Sequence, residues 1–110
     1  MISLHVYLTP AAGKDAELDS AISDKWLTAM AEQPGFISGA VLKPFAEEDL
    51  ARLQATVPEH YVEVVSFWQS EEKRLAWVAR PIHDEVFNQV LAAAEGVSHT
   101  LQTVDNSWNL

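Results

Sequence analysis

Between Tyr61 and Trp68 the chain reads YVEVVSFW, and this run constrains the fold more than any other. In an extended strand, Val62, Val64, Ser66 and Trp68 share one face while Tyr61, Glu63, Val65 and Phe67 share the other. Both faces are largely apolar, so both need cover, and one layer of helices shields only one of them. At about 25 cal/mol per Å² of apolar surface, leaving the second face wet forgoes several kcal/mol. A second copy packed sheet against sheet is the expected cover, twofold closure being the commonest symmetry of assembly. The segment 46–56 or the C-terminal tail is the alternative.

The neighbouring segments supply the partners such a strand requires. Residues 2–9 alternate, with Ile2, Leu4, Val6 and Leu8 opposite Ser3, His5, Tyr7 and Thr9, and Pro10 and Gly13 break the pattern. Leu18, Ile22, Trp26 and Met30 then recur every fourth residue, a helical stripe ended by Pro34-Gly35. Phe36 to Leu42 reads as a second strand. Residues 46–56 read as a short solvated helix anchored by Leu50 and Leu53. After the Tyr61–Trp68 strand, Ser70 is a good N-cap with Glu71 and Glu72 in the first turn. Pro81 kinks or restarts that helix, which continues through Ile82, Val86, Val90 and Leu91 to Gly96, and Val97 to Val104 alternates as a last strand. The order strand–helix–strand–insert–strand–helix–strand is the α+β, ferredoxin-like βαββαβ arrangement. It predicts one domain over residues 1–110, a helical insert near 46–56, and a four-stranded antiparallel sheet with helices on one face. The first and third strands would be central neighbours.

Composition removes several classes of function. A formal charge of −9 without a basic cluster disfavours nucleic acid and anionic membranes as partners. With no cysteine, disulfides, thiolate nucleophiles and cysteine-bound metals are out. The opening MISLHVYLTP resembles neither a signal peptide nor a span, so a cytoplasmic location is the default expectation. Phosphate loops, serine-hydrolase elbows and zinc motifs are lacking, and neither a cofactor nor a metal site is expected.

Gly13-Lys14 with Glu17, Pro34-Gly35-Phe36, the corner Phe67-Trp68-Gln69-Ser70-Glu71-Glu72, and Trp77 and His83 beyond it occur in an order seen elsewhere. In these features the chain resembles the dimeric α/β-barrel superfamily, specifically its antibiotic-biosynthesis-monooxygenase type. A weaker likeness is to the small proteins of prodigiosin-type pigment pathways. The resemblance implies a homodimer with a pocket for a hydrophobic small molecule, between sheet and helices. It also implies cofactor-independent chemistry on an aromatic or pyrrolic intermediate. The family's strand tryptophan matches Trp68, but its asparagine position holds Val64, which removes an amide able to orient an enolate or peroxide. Against the heme-degrading relatives, Trp77 matches while Phe87 stands where the histidine ligand would be. Heme is therefore not expected.

The candidate catalytic residues are His83, for proton transfer, and Trp68, which would stack a flat substrate. Trp26, Met30, Val64, Trp77 and Phe87 are the candidate substrate-binding residues, although a stripe at helical spacing is commonly core. His5 and Glu63 would pair across the second sheet face, with Tyr7 and Tyr61 beside them at the dimer interface. Arg80 is a candidate anion contact. A pocket with so few polar groups also fits a protein that binds or delivers an intermediate without transforming it.

Overall fold

The computed structural model describes residues 1–110. The four strands are β1 (Ile2–Pro10), β2 (Phe36–Leu42), β3 (Val62–Trp68) and β4 (Ala94–Thr103). They form one antiparallel sheet in the order β2-β3-β1-β4, so the first and third strands are the central pair. Leu4 lies opposite Ser66, Val6 opposite Val64 and Leu8 opposite Val62, which makes one face apolar except at Ser66. The helices cover that face, giving a ferredoxin-like α+β fold. No helix is long and apolar enough to cross a membrane.

The stripe at Leu18, Ile22, Trp26 and Met30 is buried throughout. An α-helix turns about 100° per residue, so a strict spacing of four drifts by roughly 40° at each step. The chain offsets this drift by widening its middle. After α1 (Asp15–Ser20), residues Ala21–Trp26 form a π-helical segment, and α2 (Leu27–Met30) closes the run. A turn closed by i→i+5 bonds holds more than four residues, which brings Trp26 and Met30 back over the sheet. The Thr28 hydroxyl donates to the Ser23 carbonyl at 2.7 Å, engaging a backbone group within the wide turns. The run ends at Met30, and the turn into β2 passes through Gly35, whose φ is +90° and where an added Cβ would lie 2.5 Å from Lys73 Cβ. Gly35→Ala should therefore lower unfolding stability by roughly 1–3 kcal/mol in urea titrations, through backbone strain and this clash.

Helix α3 (Glu47–Arg52) is shorter than the sequence suggests. Leu50 is buried but Leu53 is exposed, because the helix stops before it and Gln54 adopts a left-handed backbone with φ 57°. Helices α4 (Glu71–Val78) and α5 (Pro81–Ala93) are separate, with Arg80 extended and Pro81 at the first helical position. Ser70 caps α4 by accepting the Lys73 backbone N–H at 3.2 Å. Ser70→Ala should cost about 1 kcal/mol, read as a shift in the urea midpoint without a change of slope. Strand β4 begins at Ala94, three residues before the expected Val97, with Gly96 paired to Thr9 rather than ending a helix.

The second sheet face is less oily than the third strand alone suggests. Opposite Val65 and Phe67 the register places His5, Ser3, Thr100 and Gln102, while β2 contributes Ser38 and Ala40. The expectation of two apolar faces therefore holds for β3 and not for β1 or β4. His5 and Glu63 do pair on this face, Nδ1 to Oε2 at 2.8 Å, and the other ring nitrogen meets Ser3 Oγ at 3.0 Å. Tyr7 is there too, with its ring against His60. Tyr61 is not, because it precedes β3 and its hydroxyl donates to Asp19 on the helix side at 3.3 Å. Lys43 donates to that same Asp19 carboxylate and to the Tyr61 hydroxyl. The Asp19 hydrogen bond, then that of Tyr61, holds the Lys43 ammonium above its ordinary 10.5. Its stabilisation is full below the ordinary value and is lost as pH climbs through the raised one. Because these side chains are over a third exposed, Lys43→Met should cost under about 1 kcal/mol at neutral pH.

Candidate functional site

An apolar cavity of about 190 Å³ lies between the helix-facing side of β1 and β4 and the helical layer. Leu4 and Val6 from β1 form its floor, with Val97 and His99 from β4. Trp26 and Met30 project into it from the first helical run, Arg74, Trp77 and Val78 from α4, and His83 and Phe87 from α5. Four aromatic rings form a row along its wall. Trp77 meets His83 edge-on at 5.2 Å, His83 tilts against Phe87 at 5.5 Å, and Phe87 tilts against Trp26 at 5.0 Å between centroids. Such a wall suits a flat apolar ligand.

The α5 start places His83 in this wall. Pro81 fixes the first turn, and one α-helical turn separates His83 from Phe87 on the same side. His83 Nδ1 lies 3.1 Å from Asp84 Oδ1. An ionised carboxylate only accepts, so this contact assigns the proton of the neutral imidazole to Nδ1 and leaves a lone pair on Nε2. Nε2 makes no hydrogen bond within the chain, and the side chain is largely buried. With Nδ1 engaged and Nε2 free, the uncharged form of such an imidazole can accept a proton.

Two further polar groups belong to residues of the lining. Arg74 donates from Nε to Glu71 Oε1 at 2.8 Å, and its Nη2 meets the same oxygen, so its charge is already matched. Trp26 is 2% exposed, and its indole N–H is the one buried side-chain polar atom without a partner. Leaving such a donor unpaired costs about 1–3 kcal/mol.

Five of the sequence-derived candidates thus come together: His83, Trp26, Met30, Trp77 and Phe87. Trp68 and Val64 do not line the cavity. Trp68 is fully buried between Ile2 and Phe36, meets the Phe36 ring edge-on, and donates its indole N–H to Ser66 Oγ at 3.0 Å. Val64 is sealed in the same core. The reason is sheet order: both belong to β3, whereas the cavity lies over β1 and β4. Arg80 donates to the Gln33 side chain at 2.7 Å, outside the cavity lining. Arg74 and His99 were not legible as lining residues, since each becomes one only through the packing of α4 and the register of β4.

No family model and no curated protein matches the sequence. Solved structures do match the fold. SnoaB from Streptomyces nogalater, a cofactor-independent oxygenase, is 16% identical with a TM-score of 0.76, over 99% of this chain and 97% of that one. Other structures of the same fold include proteins provisionally assigned as antibiotic biosynthesis monooxygenases and proteins of unknown function. One from Deinococcus radiodurans, provisionally assigned as such a monooxygenase, is 14% identical with a TM-score of 0.76, over 100% and 98% of the two chains. A dimeric ferredoxin-like protein of unknown function from Jannaschia is 16% identical with a TM-score of 0.72, over 94% and 98%.

Proposed function

We propose that this protein is a small natural-product-pathway enzyme that oxygenates a flat aromatic or pyrrolic intermediate without a cofactor. The observation that carries this reading is His83, held by Asp84 with its second nitrogen free, in an aromatic-walled cavity. His83 would remove a proton from an acidic C–H, and the carbanion would pass electrons to dioxygen. For a ring CH₂ the balance is one CH₂ and one O₂ giving one ketone and one water, through a hydroperoxide that loses hydroxide as its remaining C–H proton leaves. Trp68 has no direct part in this reading. It supports β3 from within the core.

The protein would act as a homodimer, with a second copy covering Val65, Phe67 and their neighbours on the helix-free face. Dimeric relatives of the same fold favour that arrangement. Sedimentation at micromolar concentration should give twice the mass of 12.2 kDa, and a stable monomer would contradict it.

Anthrone, a flat ketone with an acidic CH₂, is a direct probe. The protein should accelerate oxygen uptake, consuming one O₂ per anthraquinone formed. The second reading, a binding or delivery protein, is favoured by a floor in which Leu4, Val6 and Val97 are hydrocarbon and the exposed His99 is the one polar side chain. It predicts stoichiometric anthrone binding with uptake no faster than in buffer.

A further inference from the structure

We infer that His99 is the oxyanion donor of the cavity, hydrogen-bonding the ligand's carbonyl oxygen while His83 takes a proton elsewhere on the ring system. This rests on the reaction proposed for the same cavity. The register of the edge strand aims His99 inward. On β4, Val97, His99 and Leu101 pair directly with Leu8, Val6 and Leu4 of β1, and directly paired residues share a sheet face. Leu4, Val6 and Leu8 are buried beneath the helices, so His99 projects from the helix side, where it lines the cavity. A ligand can reach it. No strand lies beyond β4, and His99 is exposed at the rim of the floor.

The hydrogen-bonding capacity of His99 is unused. Of the four histidines, His5 and His83 are tied to carboxylates and His60 packs on Tyr7, whereas neither ring nitrogen of His99 bonds to another side chain. Elsewhere in the lining, His83 presents an acceptor at Nε2, Arg74 is held by Glu71, and the Trp26 indole nitrogen is sealed from solvent. The proposed chemistry calls for a donor. In a flat ketone such as anthrone, the acidic CH₂ and the carbonyl are conjugated through the rings. When the proton passes to His83 Nε2, the electron pair left behind spreads onto the carbonyl oxygen, which becomes an enolate oxygen. A hydrogen bond to that oxygen strengthens as the charge develops, and so favours the step. An uncharged imidazole carries one N–H, which the unbonded ring of His99 is free to turn inward. His99 keeps its proton throughout, so the proton and electron balance of the reaction is unchanged.

2-Naphthol is the probe, because its phenolate imitates an enolate oxygen on a flat ring and its absorbance reports ionisation. Bound to the intact protein, it is titrated with alkali in the wild type, in His99→Leu, which lacks the donor, and in His99→Gln, which restores an N–H. The ionisation constant of the bound probe should be roughly tenfold larger in the wild type than in His99→Leu, the worth of one hydrogen bond to a charged group near solvent. His99→Gln should recover most of that difference. Because ionisation of the bound probe is read, and not affinity, an altered fit of the wall does not enter. Arg74 and the chain's charge of −9 act alike in all three proteins. Should His99→Leu fail to fold, the wild type decides: the His99 ring nitrogens should shift far more with 2-naphthol than with naphthalene. Equal ionisation constants in wild type and His99→Leu, or ring nitrogens indifferent to the naphthol oxygen, would overturn the inference while the cavity stands. Binding of neither 2-naphthol nor naphthalene to the wild type would overturn the cavity reading and this inference together.

Discussion

Replacing Trp68 by alanine is expected to lower unfolding stability by about 3–5 kcal/mol, the range for truncating a buried large aromatic. Trp68 is the largest fully buried side chain, wedged at the β1–β3–β2 junction against Phe36. Its removal empties the core and takes the indole N–H away from Ser66 Oγ, itself 1% exposed. Urea titration should show the midpoint falling at nearly constant slope. Trp68→Phe should remain folded and bind anthrone as the wild type does. A Trp68→Phe protein that folds normally but loses that affinity would return Trp68 to the site.

His83→Ala carries the second large effect. General-base catalysis by a positioned side chain is worth about 10²–10⁴-fold, so kcat for anthrone oxidation should fall within that range. KM should change little, because Trp77, Phe87 and Trp26 still form the wall. Asp84→Asn should lower kcat by less than about tenfold, since its carboxylate is 80% exposed and surface pairs are weak. Oxygen uptake under saturating anthrone measures both. A His83→Ala protein with unaltered kcat would remove the imidazole from the chemistry.

The fold was legible because its signals were local. Alternation in β1 and β3, the four-residue stripe through Trp26, and the Ser70 cap each specify an element without reference to the others. Sheet order followed from the arrangement of elements. The site was legible in part, for a corresponding reason. Trp26 and Met30 lie on a helical stripe that periodicity reveals, His83 and Phe87 lie one turn apart on α5, and Trp77 is marked by the family resemblance. Trp68 and Trp26 look alike in sequence, both aromatic on the helix-facing side. Which of them borders empty space depends on where α4 and α5 cross the sheet, a tertiary matter. The π-helical segment also left a trace, since a stripe spaced strictly by four is too regular for an ideal α-helix. The unpaired, buried indole N–H of Trp26 needed coordinates. Tyr61 was misplaced because the alternation was extended one residue beyond the strand's true start at Val62.

The most direct test is to close the cavity without touching its chemistry. Val97 lies on the edge strand at the cavity floor and is 40% exposed, so Val97→Trp can be accommodated by folding while its ring occupies the space. Isothermal titration of this variant with anthrone should give no binding at an unchanged melting temperature. Wild-type affinity in the Val97→Trp protein would contradict the account, because the ligand would then be bound somewhere else.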